Sequence, residues 1–211
     1  MTGAERMAPT RLNLLRAARR LERMSKGIAV LRRKREALVS ELFKVARSAA
    51  DARADIGARA REAYDALLDA LTVHGRSGLR PLGWPTRDVP LEISGRSVWG
   101  VPVGTLEGHP PLSRTLGARA TAPGSAGPAA VHAAARFEAL ADLLVEAAPR
   151  EMLIQRLGDA LARTSRQVNT LERRLVPGLG AQMAGVGRAL EEREREEHLR
   201  LKHLQGRRAG R

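Results

Sequence analysis

A chain of 211 residues without cysteine excludes a disulfide framework, a thiolate nucleophile and a Cys-based metal site, and fits a reducing cytoplasm. Two Phe, one Tyr and two Trp are too few for an aromatic-filled core, while Ala, Leu, Arg and Glu dominate, as in long helices and coiled coils. The formal charge of +14, carried by 33 Arg and 4 Lys, implies an acidic counterpart: nucleic acid, anionic lipid or an acidic protein surface. No uncharged apolar run approaches the roughly 18 residues of a membrane span. The N-terminal MTGAERMAPTR lacks the apolar stretch of a signal peptide, so a soluble protein is expected.

The first segment, 9–73, reads as one helix that begins after Pro9, with Thr10 as its cap. With Leu14 at heptad position a, the a positions are Leu14, Leu21, Ile28, Arg35, Leu42, Ala49, Ile56, Ala63 and Ala70. The d positions are Ala17, Met24, Leu31, Leu38, Val45, Ala52, Arg59, Ala66 and Val73. Sixteen of these eighteen are apolar, and a strict seven-residue repeat of that length implies a left-handed supercoil with a partner helix. Such a helix is on the order of 95 Å long, wider than a globular core. Past Val45 the seam passes to alanine, which brings helices closer but buries less area.

The middle, 74–128, is rich in Gly and Pro and loses helical periodicity. The stretch DVPLEISGRSVWGVPVGTL alternates, with Leu91 and Ile93 before and Val98 and Val101 after Ser94-Gly95-Arg96, and predicts two short strands joined by a tight turn there. A lone hairpin is marginal in water, so it must rest on helix ends or on another protein. Trp84 and Trp99 are expected to pack within this small head, with a partner contact as the alternative, and APGSAGP reads as a flexible connector.

The third segment, 129–205, is helical again, with a basic tail at 206–211. Its seam passes through Leu140, Leu143, Ala147, Ile154, Leu157, Leu161, Thr164, Val168, Leu171 and Leu175, then Leu179, Met183, Val186, Leu190, Glu197, Leu201 and Leu204. Pro149 is expected to kink this helix or split it in two. The consecutive steps of four from Leu175 to Leu179 to Met183 form a stutter beside Pro177-Gly178, a local unwinding of the coil. Two long helices around a compact middle predict an antiparallel pair, with Arg35 opposite Leu175–Leu179. The fold class is therefore all-α: a long antiparallel left-handed coiled coil of N- and C-terminal helices, with a small irregular middle carrying a short β-hairpin.

Catalytic chemistry finds no foothold. There is no phosphate-cradling G-x-x-x-x-G-K-[ST], no nucleophile elbow and no H-E-x-x-H, and GLGAQMAG lacks dinucleotide-binding glycine spacing. No catalytic, cofactor-binding or metal-ligating residue is assigned. His74, His109, His132, His198 and His203 read as solvated surface. In EEREREEHLRLK the spacings Glu191–Arg195, Arg193–Glu197 and Glu196–Arg200 are those of exposed i,i+4 ion pairs. Arg32-Arg33-Lys34-Arg35 turns through most of the helix circumference and has no aromatic interleaving for base stacking.

Four blocks carry a family resemblance: PTRLNLL from Pro9, SKG followed by LRRKREAL, TSRQVNTLERRLVPGL from Thr164, and EEREREEHLRLKHL. In this order they resemble the central-stalk D subunit of V-type/A-type ATPases, with a weaker likeness in SVWGVPV. The matching positions are Pro9, Thr10, Arg11, Gly27, Leu31, Lys34, Arg35, Leu38, Thr164, Arg166, Val168, Asn169, Leu171, Glu172 and Pro177. Gln167 and Thr170 stand where the family more often shows Arg and Ala.

The resemblance implies a non-catalytic rotor axle. In that family the terminal helices insert into a hexamer of catalytic and regulatory subunits, a small F subunit binds the stalk, and a socket subunit links it to a membrane ring. It implies a cytoplasmic location, peripheral to the membrane, without direct membrane insertion, direct nucleic-acid contact or a cofactor. Arg11, Arg16, Arg19, Arg20, Arg200 and Lys202 are the candidate contacts with the hexamer's inner wall. The alternative from another class is a basic coiled-coil protein that binds nucleic acid.

Overall fold

A computed structural model describes residues 8–80, 88–118 and 127–209; Trp84 and most of the APGSAGP connector lie outside these residues, as do Gly210 and Arg211 of the tail. The fold is mostly helical, with a long N-terminal and a long C-terminal helix and one two-stranded antiparallel hairpin between them. The chain divides into two compact units: a terminal unit of Met1–Glu36 and Ala162–Arg211, and a central unit of Ala37–Leu161.

Helix α1 spans Arg11–Leu79. Thr10 starts it: the Asn13 N–H donates to Thr10 Oγ1 at 3.2 Å and the Leu14 N–H to the Thr10 carbonyl at 3.1 Å, so the hydroxyl satisfies one orphan donor of the first turn. The helix proper ends at His74, one residue past Val73: Gly75, with φ 63° and ψ 175°, is not helical, its φ lying in the left-handed region that a side chain disfavours, and a short helical stretch follows this kink to Leu79. The buried stripe follows the heptad through Ala17, Ile28, Leu38, Ala49, Ala63, Ala66 and Ala70, while Arg59 and, at the end of the repeat, Val73 are exposed.

In the terminal unit α1 faces the end of α2 (Pro128–Thr170), a π-turn (Leu171–Leu175) and α3 (Val176–Ala209). Arg11 pairs with Glu194, and Arg32 Nε donates to Glu172 Oε1 at 2.7 Å, so rising numbers on one helix meet falling numbers on the other and the pair is antiparallel. One turn along α1 from Arg32 corresponds to one turn back from Glu172, so Arg35 stands abreast of about Asn169 and not of Leu175–Leu179.

The stutter falls one turn earlier than its spacing predicts. The Val176 N–H donates to the Leu171 carbonyl, a five-residue step that inserts an extra residue into the helix. The seam therefore passes from Val168 through Leu171 and Glu172 to Val176, and Leu175 is 48% exposed. Pro177 supplies the cause: it has no N–H for the Arg173 carbonyl, and its ring crowds that carbonyl in a regular α-turn. Pro149 behaves otherwise, because α2 continues across it without a break. Its missing N–H costs one ladder bond, and the flanks are held by packing at Ala147 and Leu153 and by Glu151, which accepts two 2.6 Å bonds from Arg53.

In the central unit α1 and α2 pair antiparallel, marked by Arg53–Glu151 and by Arg136 Nη1 to Glu62 Oε2 at 3.0 Å. Strands β1 (Glu92–Val98) and β2 (Val101–Gly108) pair with Ser94 opposite Thr105 and Val98 opposite Val101. The turn is therefore Trp99-Gly100, not Ser94-Gly95-Arg96, which lies inside β1. Both turn residues have positive φ, 51° and 77°, the two-residue geometry that matches the twist of a hairpin. Alternation then puts Val101 and Val103 on one face, where they bury against Leu38, Leu157 and Ala160 with Leu42, Val98, Leu153 and Leu161 around them. The hairpin thus rests on the helix pair of its own unit. Towards the kink the seam narrows to Ala66, Ala70 and Ala133, closed by Leu79 and Ala129.

Two outcomes follow from this packing. Leu157→Ala, at a site with no solvent exposure, is expected to cost about 2–5 kcal/mol in chemical denaturation, whereas Leu199→Ala, at an exposed site, stays within about 0.5 kcal/mol. The Arg53 hydrogen bond and charge hold Glu151 below the usual carboxylate range. The stabilisation from that pair is present at neutral pH and lost as pH falls through the lowered folded-state pKa, so Glu151→Gln should lower the melting temperature slightly at pH 7 and not at all in acid. An equal offset at both pH values contradicts it.

Candidate interaction surface

Among the described residues no group of three or more His, Asp or Glu is arranged to hold a metal ion, and no helix is long and apolar enough to cross a membrane. The groups available for function are surface cations and exposed apolar side chains.

The first and last sequence blocks meet in the terminal unit. Arg193 Nη1 donates to the Pro9 carbonyl at 3.4 Å, beside the Arg11–Glu194 pair, so the helix start is tied to the closing Glu/Arg run. The Glu194 hydrogen bond and charge raise the pKa of Arg11, which is thus part of an internal pair as well as exposed. Arg16, Arg19, Arg20 and Lys202 are exposed with no ion pair among the described residues, and Arg200 reaches Glu196 at 3.9 Å. On α3 beyond Glu194 every described side chain, 195–205, is exposed, including Leu199, Leu201 and Leu204. Glu197, Leu201 and Leu204 have the spacing of a seam but are exposed, with none of the described residues of this unit covering them.

The second and third blocks also come together there. Thr164 and Val168 are buried, Leu31, Lys34, Arg35, Leu171 and Glu172 are half-buried, and Glu172 holds Arg32. Leu31, Arg163, Arg166, Gln167, Thr170 and Leu171 line an open groove, and the Thr170 hydroxyl donates to the Arg166 carbonyl at 2.8 Å. Asn169 and Pro177 are exposed. Leu38 belongs to the central unit, under the hairpin. Gly27 is exposed on α1 with open space where a side chain would project.

Several features depart from the sequence reading. Trp99 is 59% exposed at the hairpin turn instead of packed in a head. His74 is half-buried, with Nε2 shielded from solvent and unpartnered among the described residues; its ring lies so close over Gly127 that a Cβ there would fall 2.3 Å from Cε1. His109 Nδ1 sits 3.0 Å from the Pro110 carbonyl and 3.8 Å from Asp142. Phe43, Tyr64 and Leu68 are exposed on α1, Tyr64 standing edge-on to Phe137 with centroids 5.6 Å apart. Their heptad positions, b and f, are the signal that places them off the seam.

Comparison with known proteins bears on what these surfaces serve. A family model described as the ATP synthase D subunit matches residues 13–206. The V-type ATP synthase D subunit of Anaeromyxobacter sp. (strain Fw109-5) is 39% identical over 204 residues, covering 96% of this chain and 94% of that one. That of Thermus thermophilus is 36% identical over 203 residues, 95% of this chain and 88% of its own. The A-type ATP synthase D subunit of Methanoregula boonei is 30% identical over 200 residues, 94% and 95%.

Gly27 provides a check on which positions the fold itself demands. Gly27→Ala is expected to stabilise the chain by about 1 kcal/mol in thermal melting, since alanine favours a helix interior and meets no neighbour. A loss of stability would mean that the packing requires glycine there.

Proposed function

The chain belongs to the family of ATP synthase D subunits, and from that premise we propose that it is the central rotor shaft of a V/A-type rotary ATPase. In that role it couples ion translocation through a membrane ring to ATP hydrolysis or synthesis in a hexamer of catalytic and regulatory subunits. It binds a small F subunit on the stalk and a socket subunit, and it sits at the cytoplasmic face of the membrane through the complex. Beside the family match, one structural observation carries this reading. α1 pairs antiparallel with α2 and α3 and both chain ends belong to one unit, which leaves that unit as a paired-helix body that a surrounding partner can grip.

Such a shaft needs no active site of its own. Its work is to present different faces to three catalytic sites, so that each site's open and closed populations are biased unequally, and rotation hands that bias from one site to the next. The π-turn interrupts one helix of the pair while α1 runs past it as a regular helix, so the two helices do not present equivalent surfaces. Arg11, Arg16, Arg19, Arg20, Arg200 and Lys202, exposed on the terminal unit, are the contacts proposed for the hexamer's inner wall.

Tagged protein drawn from its own cells at moderate salt is expected to bring down the catalytic hexamer and a small stalk partner in amounts insensitive to nuclease, and the isolated chain is expected to turn over no ATP. Recovery of nucleic acid alone would overturn the shaft reading. Binding of the purified small stalk partner should also raise the chain's melting temperature, by mass action on the folded state.

A further inference from the structure

α3 opens on an uncharged, glycine-rich stretch. It holds Gly178, Gly180, Gly185 and Gly187, four glycines within ten residues, against one in the 43 residues of α2. Glycine weakens a helix interior relative to alanine, because its backbone loses more freedom when it is ordered. Close approach by a neighbour would account for such residues, yet a Cβ at any of the four meets nothing within 4 Å. None of them takes a positive φ either. Neither packing nor backbone conformation requires glycine at these four places.

The opposing helix is weak at the same height. Between the Arg32–Glu172 pair and the Arg11–Glu194 pair, α1 takes 21 steps and the other side 22, the surplus being the extra residue of the π-turn. Counted across that turn from Arg32–Glu172, Gly27 stands abreast of about Gly178, and a Cβ on Gly27 also meets open space. One level of the pair therefore combines the π-turn, Pro177, Gly178 and Gly180 on one side with Gly27 on the other. Proline, glycine and π-turns are the features at which helices bend.

Little ties the two helices together along this stretch. Among the described residues no ion pair joins α1 to α3 between Arg32–Glu172 and Arg11–Glu194. The buried side chains there are Ala17, Ile28 and Val186, whereas the central unit closes on Leu38 and Leu157, which have no exposed surface and lie under the hairpin. Local opening is easiest where weak helix formers and sparse apolar contacts coincide. We propose that this level is a flexure: residues 176–190 open and reclose apart from the rest of the fold, and the pair bends there more readily than at Leu38–Leu157. Its use rests on the shaft reading. The flexure lets the segment from Glu191 onward re-seat after each step without the remainder of the shaft moving, so stiffening it slows turnover.

Hydrogen exchange on the full chain reads the opening directly. Amides of 176–190 are expected to exchange at least about tenfold faster than those of 153–161, and equal protection would overturn the flexure. Gly178→Ala, Gly180→Ala, Gly185→Ala and Gly187→Ala together, all in open space, should slow exchange in 176–190 by about tenfold or more. Gly57→Ala with Gly158→Ala, equally unobstructed but in the central unit, should leave that exchange within about twofold. Equal slowing by the two sets would mean that the stretch opens only with global unfolding, and would overturn the proposal. Bound to the purified catalytic hexamer, the fourfold α3 variant should keep the wild-type Kd within about twofold and lower ATP turnover by about two- to threefold, which the Gly57 and Gly158 pair should not. Unchanged turnover in a variant whose exchange has slowed would overturn the flexure's part in the shaft. Failure of the wild-type chain to bind the hexamer would overturn the shaft reading itself, while the exchange pattern would still decide whether the flexure exists.

Discussion

Everything in this fold depends on a seam one side chain thick between antiparallel helices. A helix pair has no second layer behind it, so the few side chains that reach full burial carry a large share of the stability. Leu38 and Leu157 have no exposed surface and Val168 has 1%, and burial of such side chains contributes roughly 1.5–3 kcal/mol each. The seam thickens at the hairpin, where Val101 and Val103 cover the Leu38–Leu157 contact. Where the hairpin is absent the central unit uses Ala66, Ala70 and Ala133, trading area for close approach. The cross-helix ion pairs are exposed and screened by solvent, so their main effect is on register.

The heptad spacing made the helix pairing legible, because a nine-heptad apolar stripe has no other use. What it could not convey was local phase. Leu175 looks like a seam residue, yet the extra residue of the π-turn hands that place to Val176, an effect of a carbonyl that Pro177 cannot satisfy. Pro149 carries the same chemistry and leaves α2 unbroken, since flanking contacts absorb a single lost bond. The hairpin turn lies elsewhere for a related reason: Ser-Gly is a common turn signal, but Trp99-Gly100 takes the positive φ of the turn and sets Val98 opposite Val101 over the helices. His74 has no local signal of burial in the sequence, because the residue its ring packs over, Gly127, is fifty-three positions away.

The functional residues were less legible than the fold. Blocks from the two ends of the chain do meet, Pro9 with Arg193 and Arg32 with Glu172, but burial splits them into packing positions and exposed ones. Thr164, Val168 and Leu38 serve the seam, whereas Arg166, Asn169 and Gly27 face solvent and have no structural task visible in the pairing. That contrast is where a partner's influence is to be sought. On the shaft reading, the division between a highly charged terminal unit without aromatics and a neutral central unit with all of them gives the two units different kinds of surface to offer.

Rotation itself is the most direct measurement. The chain has no cysteine, so Arg96→Cys on the exposed face of β1 provides one labelling site for an optical probe, with the catalytic hexamer fixed to a surface and ATP supplied. A shaft turns in one direction, in steps that stop when ATP is withdrawn. A probe that stays fixed or only diffuses, on hexamers that bind the chain and are hydrolysing ATP, would contradict the account.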